Sequence, residues 1–598
     1  MSEQTIRIGG ASGFWGDAAL ATSQLLTDPE LDYLVYDYLA EITMSIMARA
    51  RAADENRGYA TDFISAAMKP NLETIAGQGV RVIANAGGVN PAACAEVLRN
   101  IIADQGLDLK VAVVTGDDLI NNADEFSESI EMFTGESFPA VEGVASINAY
   151  LGAFPIAAAL DHGADIVITG RCVDSAVTLG ACIHAFGWTR DDLDRLSQAS
   201  LAGHILECGT QATGGNFTDW ERVIDDLGDA GYPIATISAD GSFEVSKPAG
   251  TGGAVSVGTV SEQMLYEIGD PQAYLLPDVA CDFSEVCIEQ VGDDRVRVSG
   301  ARGRGVPATY KVSATWADGF RAGHVWTMVG RDAERKARHF ADQVFARAGS
   351  ILERAGLPPF TETSVEIIGS ETHFGGARRE VAPREVDVKL AVKHASAAGI
   401  GIFLKEMTGL ALTAPPGLTG FAGARAKPSP VVRLFSMLVP KSEVSIRVEV
   451  DGAAFDCSDP APVQVVDVAE PHPLPAADGD ADVRVPLESL AWGRSGDKGN
   501  KANIGIIARH PDFVPWIAAA LTADAVAGYF DHFLAPGAAV ERFYMPGPRA
   551  FNFLLHDVLG GGGVASLRAD PQGKGYAQLL LAEEIALPRS LAQAHGLA

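Results

Sequence analysis

The densest run of reactive side chains in this sequence is Gly203-His204-Ile205-Leu206-Glu207-Cys208-Gly209-Thr210-Gln211-Ala212-Thr213-Gly214-Gly215-Asn216. It sets an acid, a thiol, an amide and two hydroxyls among glycines that let a ligand approach the backbone. Glu207 could serve there as a general acid or base, and Cys208 as a nucleophile. A reactive thiol needs a base or a positive field beside it, and no histidine can be assigned to Cys208, so Glu207 is preferred. The bland alternative is a Gly-rich connection carrying a satisfied buried carboxyl. Thr169-Gly170-Arg171-Cys172-Val173-Asp174-Ser175 is the second chemical segment. At a helix start its N–H groups would attract anions, Arg171 could hold a carboxylate or phosphate, and Asp174 could move a proton or merely cap the helix. Asn85 and Asp117 occupy the equivalent place after neighbouring strands, as crevice-lining groups or as turn formers. Lys247 stands beside Gly250, Gly252 and Gly253, a backbone nest suited to phosphate or an ordinary loop. His373 is a weaker acid or base candidate. Near the C-terminus, Arg494, Asp497 and Lys498 lie in the glycine-rich stretch 493–501, followed by Arg542, Arg549, Asn552 and four glycines at 560–563. That local excess of positive charge points to an anionic ligand or a subunit contact.

Several chemistries lose their usual warrant. The first glycine loop has glycines at 9, 10, 13 and 16, so it lacks the GxGxxG register of a dinucleotide site even though Asp37 follows the second strand. There is no GxxxxGK[ST] loop, GxSxG elbow or HExxH helix. The 7 cysteines are odd in number and never spaced CxxC, which argues against a disulfide framework or a structural zinc and for a reducing cytoplasm. No metal and no separate cofactor is expected. With 46 Lys and Arg against 77 Asp and Glu, a net charge of −31 disfavours nucleic acid and anionic lipid as partners. The uncharged stretches 143–160 and 407–424 are broken by Pro155 and by Pro415-Pro416, so neither reads as a membrane span. Met1-Ser2-Glu3-Gln4 lacks the basic start of a secretory signal, and the mature protein is expected to begin there.

The elements that must position these residues alternate in βα fashion. Strands are expected at 6–8, 33–36, 80–84, 111–114 and 166–169, each ending in a Gly-, Asn- or Asp-rich junction. Pro91 suits a first helical turn, and Cys94, Val97, Leu98, Ile101 and Ile102 form one apolar face behind it. A further helix is expected near 148–160. The economical fold is α/β, a doubly wound, mainly parallel sheet with its ligand crevice at the carboxyl ends of the strands. From 255 the texture changes to an α+β extension, with strands at 295–298, 309–315 and 324–329 and an amphipathic helix over 334–355. The segment 455–483, rich in Pro, Ala and Asp, reads as a linker. A small α+β sandwich follows.

These segments resemble the acyclic terpene utilisation protein AtuA family. The N-terminal glycine run, Asn85-Ala86-Gly87-Gly88, Thr169-Gly170-Arg171 with Asp174, Glu207-Cys208-Gly209 with Thr213-Gly214-Gly215, and Lys247 with its glycines resemble that family's large N-terminal domain. Arg494-Ser495-Gly496-Asp497-Lys498-Gly499, Ala502-Asn503-Ile504-Gly505 and the stretch 552–568 resemble its small ferredoxin-like domain. The expected layout is a large domain over 5–454 (parallel core 5–254, α+β part 255–454), a linker, and a ferredoxin-like domain over 484–588. The resemblance implies a place in bacterial catabolism of citronellol and geraniol as CoA thioesters, without specifying a reaction.

The functional expectation is a cytoplasmic, homo-oligomeric catabolic enzyme acting on an acyl-CoA or branched carboxylic acid. Its reaction would be hydratase- or lyase-like proton transfer next to a carbonyl, with CoA present only as part of the substrate. Glu207 and Asp174 would be the acid/base groups. Arg171, Lys247, Arg494 and Lys498, with Asp497, would meet the anionic substrate, and Asn85 and Asp117 would line the crevice. The alternative is a non-catalytic ligand-binding or assembly subunit, and a third reading is a nucleotide-dependent enzyme.

Overall fold

Five short apolar runs, Thr5–Gly10, Tyr33–Tyr36, Arg81–Ala84, Ile166–Thr169 and Val111–Thr115, lie side by side in that order and run parallel in the computed structural model. The structure describes residues 4–17, 19–380, 382–421, 423, 426–463, 470–563 and 565–597. Tyr33–Tyr36 and Ile166–Thr169 are buried throughout, as parallel strands covered on both faces must be. Alternation along Arg81–Ala84 sends Val82 and Ala84 into one core and Ile83 into the other. Helix Pro91–Asp104 belongs to the first core and helices Phe154–Asp161 and Ala176–Phe186 to the second.

The expectation of a mainly parallel sheet needs correction. The sheet has 11 strands, and the parallel block is only its centre. Ile234–Ser238, Phe243–Ser246, Arg295–Ser299 and Cys287–Gly292 extend one edge antiparallel, and Ile446–Val450 and Ala453–Cys457 the other. The reason is connection length: turns such as 239–242 and 293–294 allow hairpins but cannot carry a parallel crossover. Residues 455–457, within the segment read as a linker, lie in the edge strand Ala453–Cys457.

A second sheet is organised by Thr309–Val329, a strand of 21 residues where two were expected. Its first half pairs with Val144–Ala149 and Ser429–Pro440, its second with Glu385–His394. Residues 148–149 are therefore strand rather than helix, and the helix begins at Phe154 with Pro155 in its first turn. A helix started at 148 would carry Pro155 in its interior, losing a backbone bond there. Helix Ala333–Arg354 packs Phe340, Val344, Ala348 and Leu352 inward at four-residue intervals.

The C-terminal part is a four-stranded antiparallel sheet ordered Ala491–Lys498, Lys501–Ala508, Ala550–Leu555, Val540–Met545. Ile504, Ile506, Phe551 and Phe553 fill its core. The stretch 493–501, expected as a loop, is mostly strand and turns only at Gly499, whose φ is 66°. Among the described residues no helix is long and apolar enough to cross a membrane.

Candidate active site

The carboxyl ends of the parallel strands deliver Asp37, Asn85, Asp117 and Arg171 to one place. Asn85 accepts from the Tyr38 amide at 2.8 Å and donates to Asp37. Asp117 Oδ2 accepts from the Arg171 amide at 2.8 Å and from Asn148 Nδ2 at 2.9 Å. Burial pushes the Asp117 carboxyl up to about 7. Gly170 makes this arrangement possible, because a Cβ there would run into the Asp117 carboxylate.

Arg171 is 3% exposed. It donates to the Leu39 carbonyl at 2.8 Å, lies 2.7 Å from Asp174 Oδ1, and sits over the Tyr150 ring with 4.2 Å to the centroid. The Tyr150 hydroxyl donates to Glu41 at 2.6 Å, and Lys311 lies 3.4 Å from the same oxygen. Burial opposes ionisation of Glu41, but Lys311 and Arg171 prevail and hold its carboxyl well below the usual range. Asp37 goes the other way: burial, then the charge of Asp174, raise it well above a free carboxyl.

Glu207 caps the end of helix Leu193–Leu206, so 203–206, expected as loop, are helical. Its Oε1 is 2.9 Å from His204 Nδ1, while His204 Nε2 faces the Met264 carbonyl at 3.1 Å. Burial disfavours the imidazolium, yet the Glu207 charge outweighs it and raises the His204 pKa. Burial raises Glu207 in turn, with His204 pulling it back. Each therefore biases the other's ionisation, although Nδ1 and Oε1 are not aligned as a hydrogen bond. Burial, then the Glu207 charge, push the Cys208 thiol well up, which disfavours the thiolate that nucleophilic attack requires. The charges of Glu207 and Asp174 both act on Asp37, joining the two chemical segments in one cluster.

A cavity of about 350 Å³ opens beside this cluster. Tyr150, Val173, Asp174 and Tyr274 form one side, Leu276, Pro277 and Pro307 add apolar wall, and Lys311, Lys498 and Lys501 bring positive charge. Lys498 lies 5.3 Å from the Tyr274 ring centroid and Lys501 4.3 Å from that of Phe133. Tyr274 itself is held well above the ordinary phenol range, first by burial and then by Glu207, so it stays protonated.

Other candidates have different duties. Arg494 donates to Gln211 and stacks on Tyr266 at 4.8 Å. Asp497 lies 3.1 Å from Lys574 Nζ, which is also 3.0 Å from Glu267. These contacts fasten the small sheet to the large part. Lys247 pairs with Asp294 at 3.1 Å and lines another depression with Arg7 and Arg295. His373 lies 3.1 Å from Glu366, outside the strand-end cluster. Reasoning from sequence overlooked Glu41, Tyr150, His204, Tyr274, Lys311 and Lys501. Glu41 had a signal, being the first residue of the helix after a parallel strand; Lys311 had none, since the pairing of Val144–Ala149 with Thr309–Val329 brings it in.

No curated protein and no solved structure matches the chain. The model of the acyclic terpene utilisation family protein AtuA matches residues 6–450, and that of the AtuA ferredoxin-like domain matches residues 485–586. With most of its length matched in order by these two, the chain belongs to the AtuA family of acyclic terpene utilisation proteins.

Proposed function

We propose that this protein is an enzyme that moves a proton next to the carbonyl of a branched carboxylic acid or its CoA thioester, in a hydratase- or lyase-type reaction. The carrying observation is the cavity of about 350 Å³ that combines apolar wall with Lys311, Lys498 and Lys501 and has Asp174 on its surface. Its size is that of a small-molecule site. The apolar wall suits a branched hydrocarbon, and the lysines suit the carboxylate or the anionic carrier. Asp174, steadied by Arg171, is the group placed to take the proton. Tyr274 can donate to the carbonyl oxygen as negative charge develops there. The His204–Glu207 pair behind Tyr274 supplies a proton reservoir.

The test is thermal stabilisation of the intact protein by branched C5–C10 acids, their CoA thioesters and free CoA, since a ligand that binds only the folded state raises its melting temperature. An acid or thioester should stabilise the wild type, and Lys498→Gln should weaken the effect. Asp174→Asn should retain binding while losing turnover of the ligand found. Absence of stabilisation by every acid and thioester would sink this reading.

A further inference from the structure

The second sheet and the small domain border a larger, open cavity, of about 670 Å³, that shares no lining residue with the proposed acyl cavity. One wall is Arg321, Gly323 and Val325 on the long strand, with Lys389 and Ala391 on its neighbour. The opposite wall is Gly563 and 566–569 of the segment following the glycine run, and Lys427 with Ser429 completes the rim. Among the described lining residues there are four cations and no acid, on a protein whose net charge is −31.

The partners of those cations matter. Lys389 is neutralised by Glu366 at 2.5 Å. Arg321, Lys427 and Arg568 pair with no carboxylate among the described residues. Arg321 spends one nitrogen on the Ser566 carbonyl at 2.8 Å, which steadies the guanidinium at the cavity wall while its remaining N–H groups are uncommitted. Arg568 is anchored by the Phe533 carbonyl at 2.9 Å and the Val558 carbonyl, contributing fixed charge more than free donors. Burial lowers the Arg321 pKa, a cost that an incoming anion would relieve. Three uncompensated charges around one chamber make a concentrated positive field, and the guanidinium fork of Arg321 matches paired phosphate oxygens. Ser429 and Ser566 add hydroxyl donors. Ala322, Val325, Ile368 and Leu567 provide an apolar surface for an organic portion. The acidic remainder of the molecule weighs against a nucleic acid and for a small polyanion.

We infer that this chamber is a second ligand site, for a small molecule carrying two or more phosphate groups. The volume is that of a ligand site rather than an ion site, and the reading does not depend on the reaction proposed above.

The test uses the full-length protein at constant ionic strength, with inorganic pyrophosphate and adenosine 3′,5′-bisphosphate as probes in thermal-shift and calorimetric titrations. Saturable stabilisation by either is expected. Lys427→Gln and the double variant Arg321→Gln/Lys427→Gln should weaken it by about tenfold for each charge removed. Lys427 is exposed, so its variant remains informative even if loss of Arg321 unsettles the fold. Lys498→Gln, in the other cavity, should leave the affinity unchanged. Comparable binding of the two probes assigns an inorganic polyphosphate, and tighter binding of the bisphosphate assigns a nucleotide. No saturable shift with either, or shifts identical in Lys427→Gln, the double variant and wild type, would overturn the assignment.

Discussion

At the scale of single residues, the site depends on opposed pressures on neighbouring carboxyls. Arg171 and Lys311 hold Glu41 low, while burial lifts Asp37 and Asp117, so closely spaced acids differ widely in their hold on a proton. Glu207 is the clearest handle. Glu207→Gln removes the charge that raises His204, so the His204 imidazole should titrate at lower pH, visible by NMR. An unmoved His204 titration would mean that Glu207 does not bias it. Turnover should fall with it if the pair serves as the reservoir. Asn85, Asp117 and Arg171 were legible as strand-end residues because a residue just past a parallel strand is placed by chain order alone, but all three are buried and none is among the described lining of the cavity. Lys311 and Tyr150 were not, because their proximity is created by strand pairing across more than a hundred residues of sequence.

At the scale of elements, the parallel block was readable from short apolar runs ending in polar glycine-rich junctions, and its antiparallel wings were not. Segments such as Arg295–Ser299 alternate exposed and buried positions, a pattern that marks a half-covered strand without saying which sheet it joins. Two strands were expected over 309–329; the single strand instead carries an irregularity between Ala317 and Phe320, at Asp318-Gly319, and continues. The close approach of two strand ends gives a direct test. Gly170→Ala would force its methyl against Asp117, and overpacking of this kind costs about 1–3 kcal/mol. Urea unfolding should show a lowered midpoint with unchanged slope; an unchanged midpoint would show that Asp117 can yield.

At the scale of the whole molecule, the negative charge is unevenly spread. Lysines and arginines gather at two chambers, Lys311, Lys498 and Lys501 at one and Arg321, Lys427 and Arg568 at the other. A separate titrating centre adjoins Pro277 of the first chamber, where the buried Asp278 and Asp459 accept from the Ala153 and Gly152 amides at 3.0 and 2.7 Å. Burial, then the charge of Asp459, push the Asp278 carboxyl up to about 8. The folded state thus keeps a proton that the unfolded chain, with an aspartate near ~4, has released. Stability from this group is complete below that lower value and is lost as pH rises toward 8. Asp278→Asn, which can still accept from Ala153, should flatten the decline in unfolding free energy between pH 5 and 8; an equally steep decline in the variant would refute the account.

The seam between large and small parts carries a further consequence. Asn503 and Asn552 are wholly buried, and their side-chain amides donate to the Leu265 carbonyl at 2.6 Å and to those of Ile268 and Gly269 at 2.9 and 2.6 Å. Swinging the small part away would exchange these buried amide–carbonyl bonds for bonds to water, at a net cost of about 0.5–1.5 kcal/mol for each. Gly269 also borders the cavity of about 350 Å³, so the same bonds that fasten the seam set that wall. Met132, Phe133, Leu275 and Leu438 are exposed apolar members of that lining, so the cavity meets solvent on a side away from these seam bonds.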